Sequence, residues 1–349
     1  MTRLEMLSAR RMDPMVKAAL LNEVYRDIQQ TDAVKYAVGA MQSIDPDYTK
    51  NTFAQGGRVK SQLEQRLTTS CEYRYQGSTT NDTHIKAKSD IDLLVILTAW
   101  FWLEPPQQAP VPYAGDDKQD MRNLRKNSLA ALKTAFPAAD VNASGGKSIK
   151  LEGGSLTRTV DVVPATWLNT NMYATTGSET WRGVKVFDAA SSLFVSNLPF
   201  LHNSRIEDKD NRTFGGMRKA ARLMKSLNYD SDSVKMSSYD IVGIAFNMPE
   251  ALLAYRPPFE LRLVDSCLEY CRSLRSNDTL RGQIIVPNGT RRVFDPLEGA
   301  TVGQLDQLIA ELDGLARDIL RENARSFVKL AEARVAHPLP LRPIGLGRY

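Results

Sequence analysis

Long apolar runs are missing from this 349-residue chain. No stretch approaches the ~20 residues that a membrane-spanning helix needs, and the opening MTRLEMLSARRMDPM lacks the apolar centre of a secretion signal. A cytoplasmic protein with no membrane partner is expected. Cysteine is equally scarce: Cys71, Cys267 and Cys271 are too few and too scattered for a disulfide framework. Cys267 and Cys271 share a helix face at a spacing of four, but no further Cys or His stands near them in sequence to complete a zinc site, so packing is their expected role. The histidines, His84, His202 and His337, are just as dispersed. Charge of one sign is nearly balanced by the other, with 45 basic and 40 acidic residues giving +5. That excess suits a polyanion as small as a nucleoside triphosphate and does not by itself indicate duplex nucleic acid.

What is present is a soluble globular composition, 42% hydrophobic and 24% charged, on a chain long enough for two joined domains. Asp13-Pro14 reads as a helix start, followed by the apolar stripe Val16, Ala19, Leu20, Val24 and Ile28. A second helix is predicted over about 52–69. Residues Tyr73 to Ile85 look polar and turn-like, and Ile91 to Leu97 reads as a buried strand. A proline-rich loop covers Pro105 to Asp117, a helix about 118–135, and two strands Ser148–Glu152 and Thr157–Val163 are joined at Gly153-Gly154. Helices dominate after about residue 190: Asn211 to Ser226, Ser237 to Met248, about 260–275, and a long one over 302–335 carrying Leu305, Leu308, Leu312, Leu315, Ile319 and Phe327 at core spacing.

The chemistry is concentrated in Gln76-Gly77-Ser78-Thr79-Thr80, a polar loop, and Ser89-Asp90-Ile91-Asp92-Leu93. Strand residues two apart share a face, so Asp90 and Asp92 present their carboxylates together while Ile91, Leu93 and Val95 bury on the other side. Adjacent carboxylates repel unless cations neutralise them, and hard oxygen ligands favour Mg²⁺, with Mn²⁺ as an alternative. Asp161 is a third acid inside an apolar strand, and three such carboxylates can bridge two ions. Gly77 permits close backbone approach to phosphate, with Ser78 as a donor. Trp100-Phe101-Trp102 is expected as a hydrophobic plug under the proline-rich loop, with base stacking as the sharper reading. Tyr173, Tyr229 and Tyr255 are further stacking candidates.

Gly-Ser, a loop, Asp-x-Asp and a later strand Asp resemble the polymerase-β-like nucleotidyltransferase superfamily. Gln76-Gly77-Ser78 with a helical second half resembles the bacterial cGAS/DncV-like nucleotidyltransferases (CD-NTases). The resemblance implies an α+β fold: a core with a mixed sheet flanked by helices over 1–190, an oligoadenylate-synthetase-like helical domain over 191–336, and an extended tail over 337–349. It implies two Mg²⁺ ions on Asp90, Asp92 and Asp161, and NTP substrates (ATP and/or GTP) positioned by Gln76, Gly77 and Ser78. Arg218, Arg222 and Lys225 share one helix face, which on its own reads as solvated. In the resembling family a helix Lys and a Ser about a dozen residues later reach the triphosphate, and Lys225 and Ser238 match them, with Lys219 and Ser237 as alternates.

The implied activity is synthesis of a cyclic or short linear oligonucleotide messenger with pyrophosphate release, in antiphage (CBASS) signalling. A monomer with a regulatory protein partner and no long nucleic acid is expected. The alternative is a template-independent RNA-tailing enzyme of the poly(A)- or CCA-adding type, which shares the acids. Two family features depart from the pattern. Nothing matches the His-Cys-Cys zinc insertion of the animal DNA sensors, and Gly347-Arg348-Tyr349 replaces the terminal small residue of relatives conjugated through their C-terminus.

Overall fold

The computed structural model describes residues 1–12, 23–87, 89–232, 236–257 and 259–331, the side chains of 24 and 325–331 excepted. The expected helix start at Asp13-Pro14, the positions Val16, Ala19 and Leu20, the side chain of Phe327 and the 337–349 tail lie outside the described residues. The fold is α+β and divides into two compact units, one of Met1–Asp45, Asp82–Ala87 and Ile206–Tyr349, the other of Pro46–Asn81 and Lys88–Arg205. Both are discontinuous in sequence. The first 45 residues group with the helical unit, whereas a single cut after residue 190 leaves them with the sheet.

The sheet unit is built on seven strands: β1 (Cys71–Gln76), β2 (Ile91–Leu103), β3 (Asp140–Asn142), β4 (Ile149–Glu152), β5 (Val160–Asn169), β6 (Arg182–Asp188) and β7 (Leu193–Asn197). Their order is β1-β2-β5-β4-β3, with β6 pairing the later half of β5 and β7 pairing β6. β2 and β5 run parallel and the other neighbours antiparallel, so the sheet is mixed. Alternation divides the two central strands cleanly. Ile91, Leu93, Val95, Val160 and Val162 join Val59 and Leu63 of the helix Pro46–Arg66 and Met121, Leu124 and Leu132 of the helix Asp117–Ala135. Leu94, Ile96, Val163, Ala165 and Trp167 face the other way, with Phe200 against them.

Several local expectations change. Tyr73–Gln76 is strand rather than turn, because it pairs with the buried β2 from Tyr73↔Val95 to Gln76↔Asp92. β2 does not stop at Leu97 but continues past an irregularity between Leu97 and Phe101. Trp100 is there buried edge-on to Trp102 and stacked on Tyr113 at 5.6 Å, while Phe101 is exposed. The single helix expected over Asn211 to Ser226 is two, Pro199–Arg212 and Gly216–Asp230. Between them Phe214 and Gly215 take φ of 55° and 85°, left-handed values that end a right-handed helix.

In the helical unit the long helix Val302–Ala331 sets Leu305, Leu308, Leu312, Leu315 and Ile319 into a core shared with the helices Asp32–Met41, Gly216–Asp230, Ser238–Asn247 and Arg262–Ser276. Cys267 and Cys271 lie in that core, where burial pushes both thiols up. An N-terminal helix, Arg3–Arg11, opens on a capping box between Thr2 and Glu5. No helix among the described residues is long and apolar enough to cross a membrane.

Buried charge ties this unit together. Arg10 Nη1 reaches both Asp230 oxygens at 2.5 Å, and the Tyr36 hydroxyl donates to Asp230 at 2.8 Å. Both members of the ion pair are nearly solvent-free. Removing one partner strands a buried charge, so Asp230→Ala is expected to lower the unfolding free energy by about 3–5 kcal/mol. Denaturant titration checks this; a loss below about 1 kcal/mol, the ordinary value of an exposed pair, contradicts it.

Candidate active site

Register, rather than sequence proximity, assembles the acids. In the parallel β2–β5 pair Asp92 lies directly beside Asp161, and in the antiparallel β1–β2 pair Gln76 lies directly beside Asp92. Lys150 of β4 pairs with Asp161 on its far side. Neighbouring strands stand about 4.8 Å apart, so a cation, two carboxylates and an amide form one row across four strands. Asp90, two residues before Asp92, precedes the strand and is exposed.

Gly77 closes the Gln76 end of that row. Its φ is +90°, and a Cβ added there meets Asp92 Oδ2 at 2.2 Å. The turn it begins is held internally: Thr80 N and Thr80 Oγ1 both donate to the Gly77 carbonyl, at 3.2 and 2.7 Å. The buried Thr79 donates its hydroxyl to the Asp90 carbonyl at 3.1 Å, linking turn and acid. Gln76 Oε1 accepts from Asn197 Nδ2 at 3.2 Å.

The electrostatics are those of uncompensated negative charge. Burial, then Asp161, then Asp90 raise the Asp92 carboxyl to about 7. Asp161 is also raised, by burial and by Asp90, with Lys150 opposing. Lys150 divides its attraction, since its ammonium lies 2.7 Å from Glu152 in an exposed pair. A divalent cation fits this donor set because it removes the repulsion that raises these groups. Among the described residues no three His, Cys, Asp or Glu side chains, Asp90, Asp92 and Asp161 included, stand close enough together to hold a metal ion by themselves. Mg²⁺ does not require such a set, since it is commonly held by one or two carboxylates with waters and phosphate oxygens completing its shell.

Lys225 and Ser238 belong to the helical unit. Lys225 is buried and donates to the Thr83 carbonyl at 2.6 Å. Burial, then Arg222 and Lys86, lower its ammonium to about 7. Arg222, also buried, donates to the carbonyls of Met41 and Asp82 at 2.8 and 2.6 Å and pairs with the Asp82 carboxylate. The face read as solvated is therefore largely interior, its cations held mostly by backbone carbonyls. Ser237 is engaged as the N-cap of the helix Ser238–Asn247 through Asp240, while Ser238 begins the helix and is exposed. Lys219 pairs with Glu260 and lies over the Tyr255 ring. Tyr229 and Tyr173 carry Lys86 and Arg182 over their rings in the same way.

Sequence reasoning missed Lys150, Asn197 and Asn203. Alternation in Ile149-Lys150-Leu151-Glu152 marks Lys150 as polar-facing, but only the pairing with β5 places it beside Asp161. The two asparagines carry no sequence signal.

No family model matches the chain. A cyclic dinucleotide synthase, CdnE, from Yersinia aleksiciae is 34% identical over 330 residues, 91% of this chain and 86% of that protein. A c-di-GMP synthase from a Lachnospiraceae bacterium is 30% identical over 251 residues, 64% of this chain and 72% of that protein. Among solved structures, the STING-associated CdnE c-di-GMP synthase from Capnocytophaga granulosa matches with a TM-score of 0.76 at 26% identity, covering 91% of this chain and 98% of that one.

Two outcomes follow from the geometry. The folded state raises Asp92 above its ordinary value, so ionising it destabilises the metal-free protein; the cost is absent below about pH 4, grows as pH rises, and is complete above about 7. Asp92→Asn is therefore expected to have a higher unfolding free energy than the wild type in EDTA at pH 8, by on the order of 2–4 kcal/mol in denaturant titration, with the gap closing by pH 4. A gap independent of pH contradicts the assignment. Gly77→Ala must either abandon its left-handed φ or displace the Asp92 carboxylate; a loss of activity of at least about a hundredfold is expected in steady-state assays, the scale reported for angstrom-level misplacement, and near-native turnover argues against the close approach.

Proposed function

The chain belongs to the CdnE-type cyclic dinucleotide synthases of the cGAS/DncV-like nucleotidyltransferase family, and we propose that it condenses two nucleoside triphosphates into a cyclic dinucleotide in a Mg²⁺-dependent reaction. It is an enzyme of the nucleotidyltransferase class. The observation that carries the proposal is the cross-strand pairing of Asp92 with Asp161, beside a Gly77 turn that admits nothing larger than hydrogen.

Asp90, Asp92 and Asp161 would hold two Mg²⁺ ions, with Mn²⁺ as a substitute. Bound there, the ions supply neutralisation of charge on the phosphate and hydroxyl oxygens. The chain's own groups supply position. Gly77 lets the turn's backbone approach the triphosphate, Ser78 adds a hydroxyl donor, and Gln76 stands beside Asp92 in the same row. Asp161 is assigned the proton of the attacking hydroxyl. That oxygen bonds to the α-phosphorus as the bond to pyrophosphate breaks, and a second transfer closes the ring. Lys225 and Ser238 are assigned to the triphosphate on the resemblance alone.

Two of the relatives are called c-di-GMP synthases, which makes GTP the first substrate to test, with ATP next. The reading extends to a messenger role in antiphage (CBASS) signalling, with a regulatory protein partner. Incubation with labelled NTPs and Mg²⁺, without RNA, is expected to yield phosphatase-resistant product and pyrophosphate. Asp90→Asn and Asp92→Asn are each expected to abolish it. Unchanged synthesis in both variants, or extension of added RNA in place of a short product, overturns the reading.

A further inference from the structure

Outside both motifs, one side chain of the sheet unit reaches the Gly77 turn at two points. Asn203 lies in the helix Pro199–Arg212. Its Nδ2 donates to Thr80 Oγ1 at 2.9 Å, and its Oδ1 accepts from Asn81 Nδ2 at 3.1 Å. The Thr80 hydroxyl has already given its proton to the Gly77 carbonyl at 2.7 Å. Toward Asn203 it can therefore only accept. Turning the Asn203 amide over would set oxygen against that acceptor and nitrogen against the Asn81 donor, so one orientation alone satisfies both contacts.

The result is a directed relay. Asn81 donates to Asn203, Asn203 to Thr80, and Thr80 to the carbonyl of Gly77, whose Cα stands against the Asp92 carboxylate. Successive bonds of this kind polarise and strengthen one another. Gly77 needs such support. A glycine in the left-handed region has no side chain to hold it there and pays more conformational entropy than any other residue when ordered.

We propose that Asn203 is a positioning residue for nucleotide binding, holding the Gly77–Ser78 turn through Thr80 and Asn81 in the conformation that accepts a triphosphate. The proposal rests on the reading of that turn as the phosphate-binding element. Asn203 does not touch the reacting atoms; it acts through the Thr80 hydroxyl.

Steady-state synthesis by the full chain with GTP and Mg²⁺ tests this, alongside melting temperature. Asn203→Ala is expected to raise KM by about tenfold, the scale of one lost hydrogen bond of ordinary strength, with kcat changed less and the melting temperature moved by only a few degrees. Thr80→Val removes the same link and is expected to raise KM similarly, and Thr80→Ser, which restores the hydroxyl, to bring it back toward the wild-type value. The Asn203→Ala/Thr80→Val double variant is expected to be little worse than either single, because both cut one relay. Fully additive effects on KM, a melting temperature that falls while KM stays put, or failure of Thr80→Ser to recover would each overturn the role of Asn203. Asp92→Asn, run in parallel, separates the two levels: active Asp92→Asn defeats the reading of the site, whereas inactive Asp92→Asn with an unchanged Asn203→Ala defeats only the relay.

Discussion

Everything in the sheet unit follows from one register, Asp92 against Asp161 across two parallel strands. Strand side chains alternate strictly, so a slip of one residue in either strand would send its acid to the opposite face. The apolar residues fix the register. On one face Ile91, Leu93, Val95, Val160 and Val162 are buried against helices; on the other Leu94, Ile96, Val163, Ala165 and Trp167 form a second cluster. Each face has its own reason not to slip. The two carboxylates occupy the end of the second face, where the hydrophobic surface stops.

That placement is costly to the empty protein. Asp92 is desolvated beside two like charges, and all three effects act in one direction. A structural acid would bring a buried cation with it, as Asp230 does with Arg10 and Glu23 with Arg11. Lys150 supplies only part of such a partner, because it is exposed and shared with Glu152. The contrast separates two uses of buried charge in one chain. In the helical unit Asp230 and Glu23 are matched inside the fold, whereas in the acid row the balance is left to what binds.

The acid row was legible in sequence because its two signals are local. Asp-x-Asp before an apolar run carries its own periodicity, and a lone acid in Val160-Asp161-Val162 violates the expectation for a buried strand. The N-terminal helix is legible too, through the capping-box spacing of Thr2 and Glu5. The strand Tyr73–Gln76 was not legible, because its half-polar residues take their conformation from the hydrogen bonds of β2 rather than from their own preference. The break at Phe214-Gly215 did carry a signal, the turn-marking pair Gly215-Gly216, which the helix expected over Asn211 to Ser226 runs across. The discontinuous grouping of residues 1–45 and 82–87 with 206–349 is wholly a matter of long-range packing.

The hardest residues to read are those whose type says one thing and whose surroundings say another. Arg218, Arg222 and Lys225 make a basic helical face, and basic faces are ordinarily wet. Arg222 and Lys225 are instead interior, and backbone carbonyls take up much of their donor capacity. Such carbonyls belong to segments remote in sequence, so no spacing rule reports them. Asn203 is the neutral form of the same problem. An asparagine on a polar helix carries no signal, yet it meets Thr80 and Asn81, more than 120 residues earlier, with each amide atom matched to the one partner of opposite polarity. Carboxylates announce a site because burying them is expensive. The groups that hold a turn in shape are inexpensive, and they become visible only when their hydrogen bonds are followed one by one.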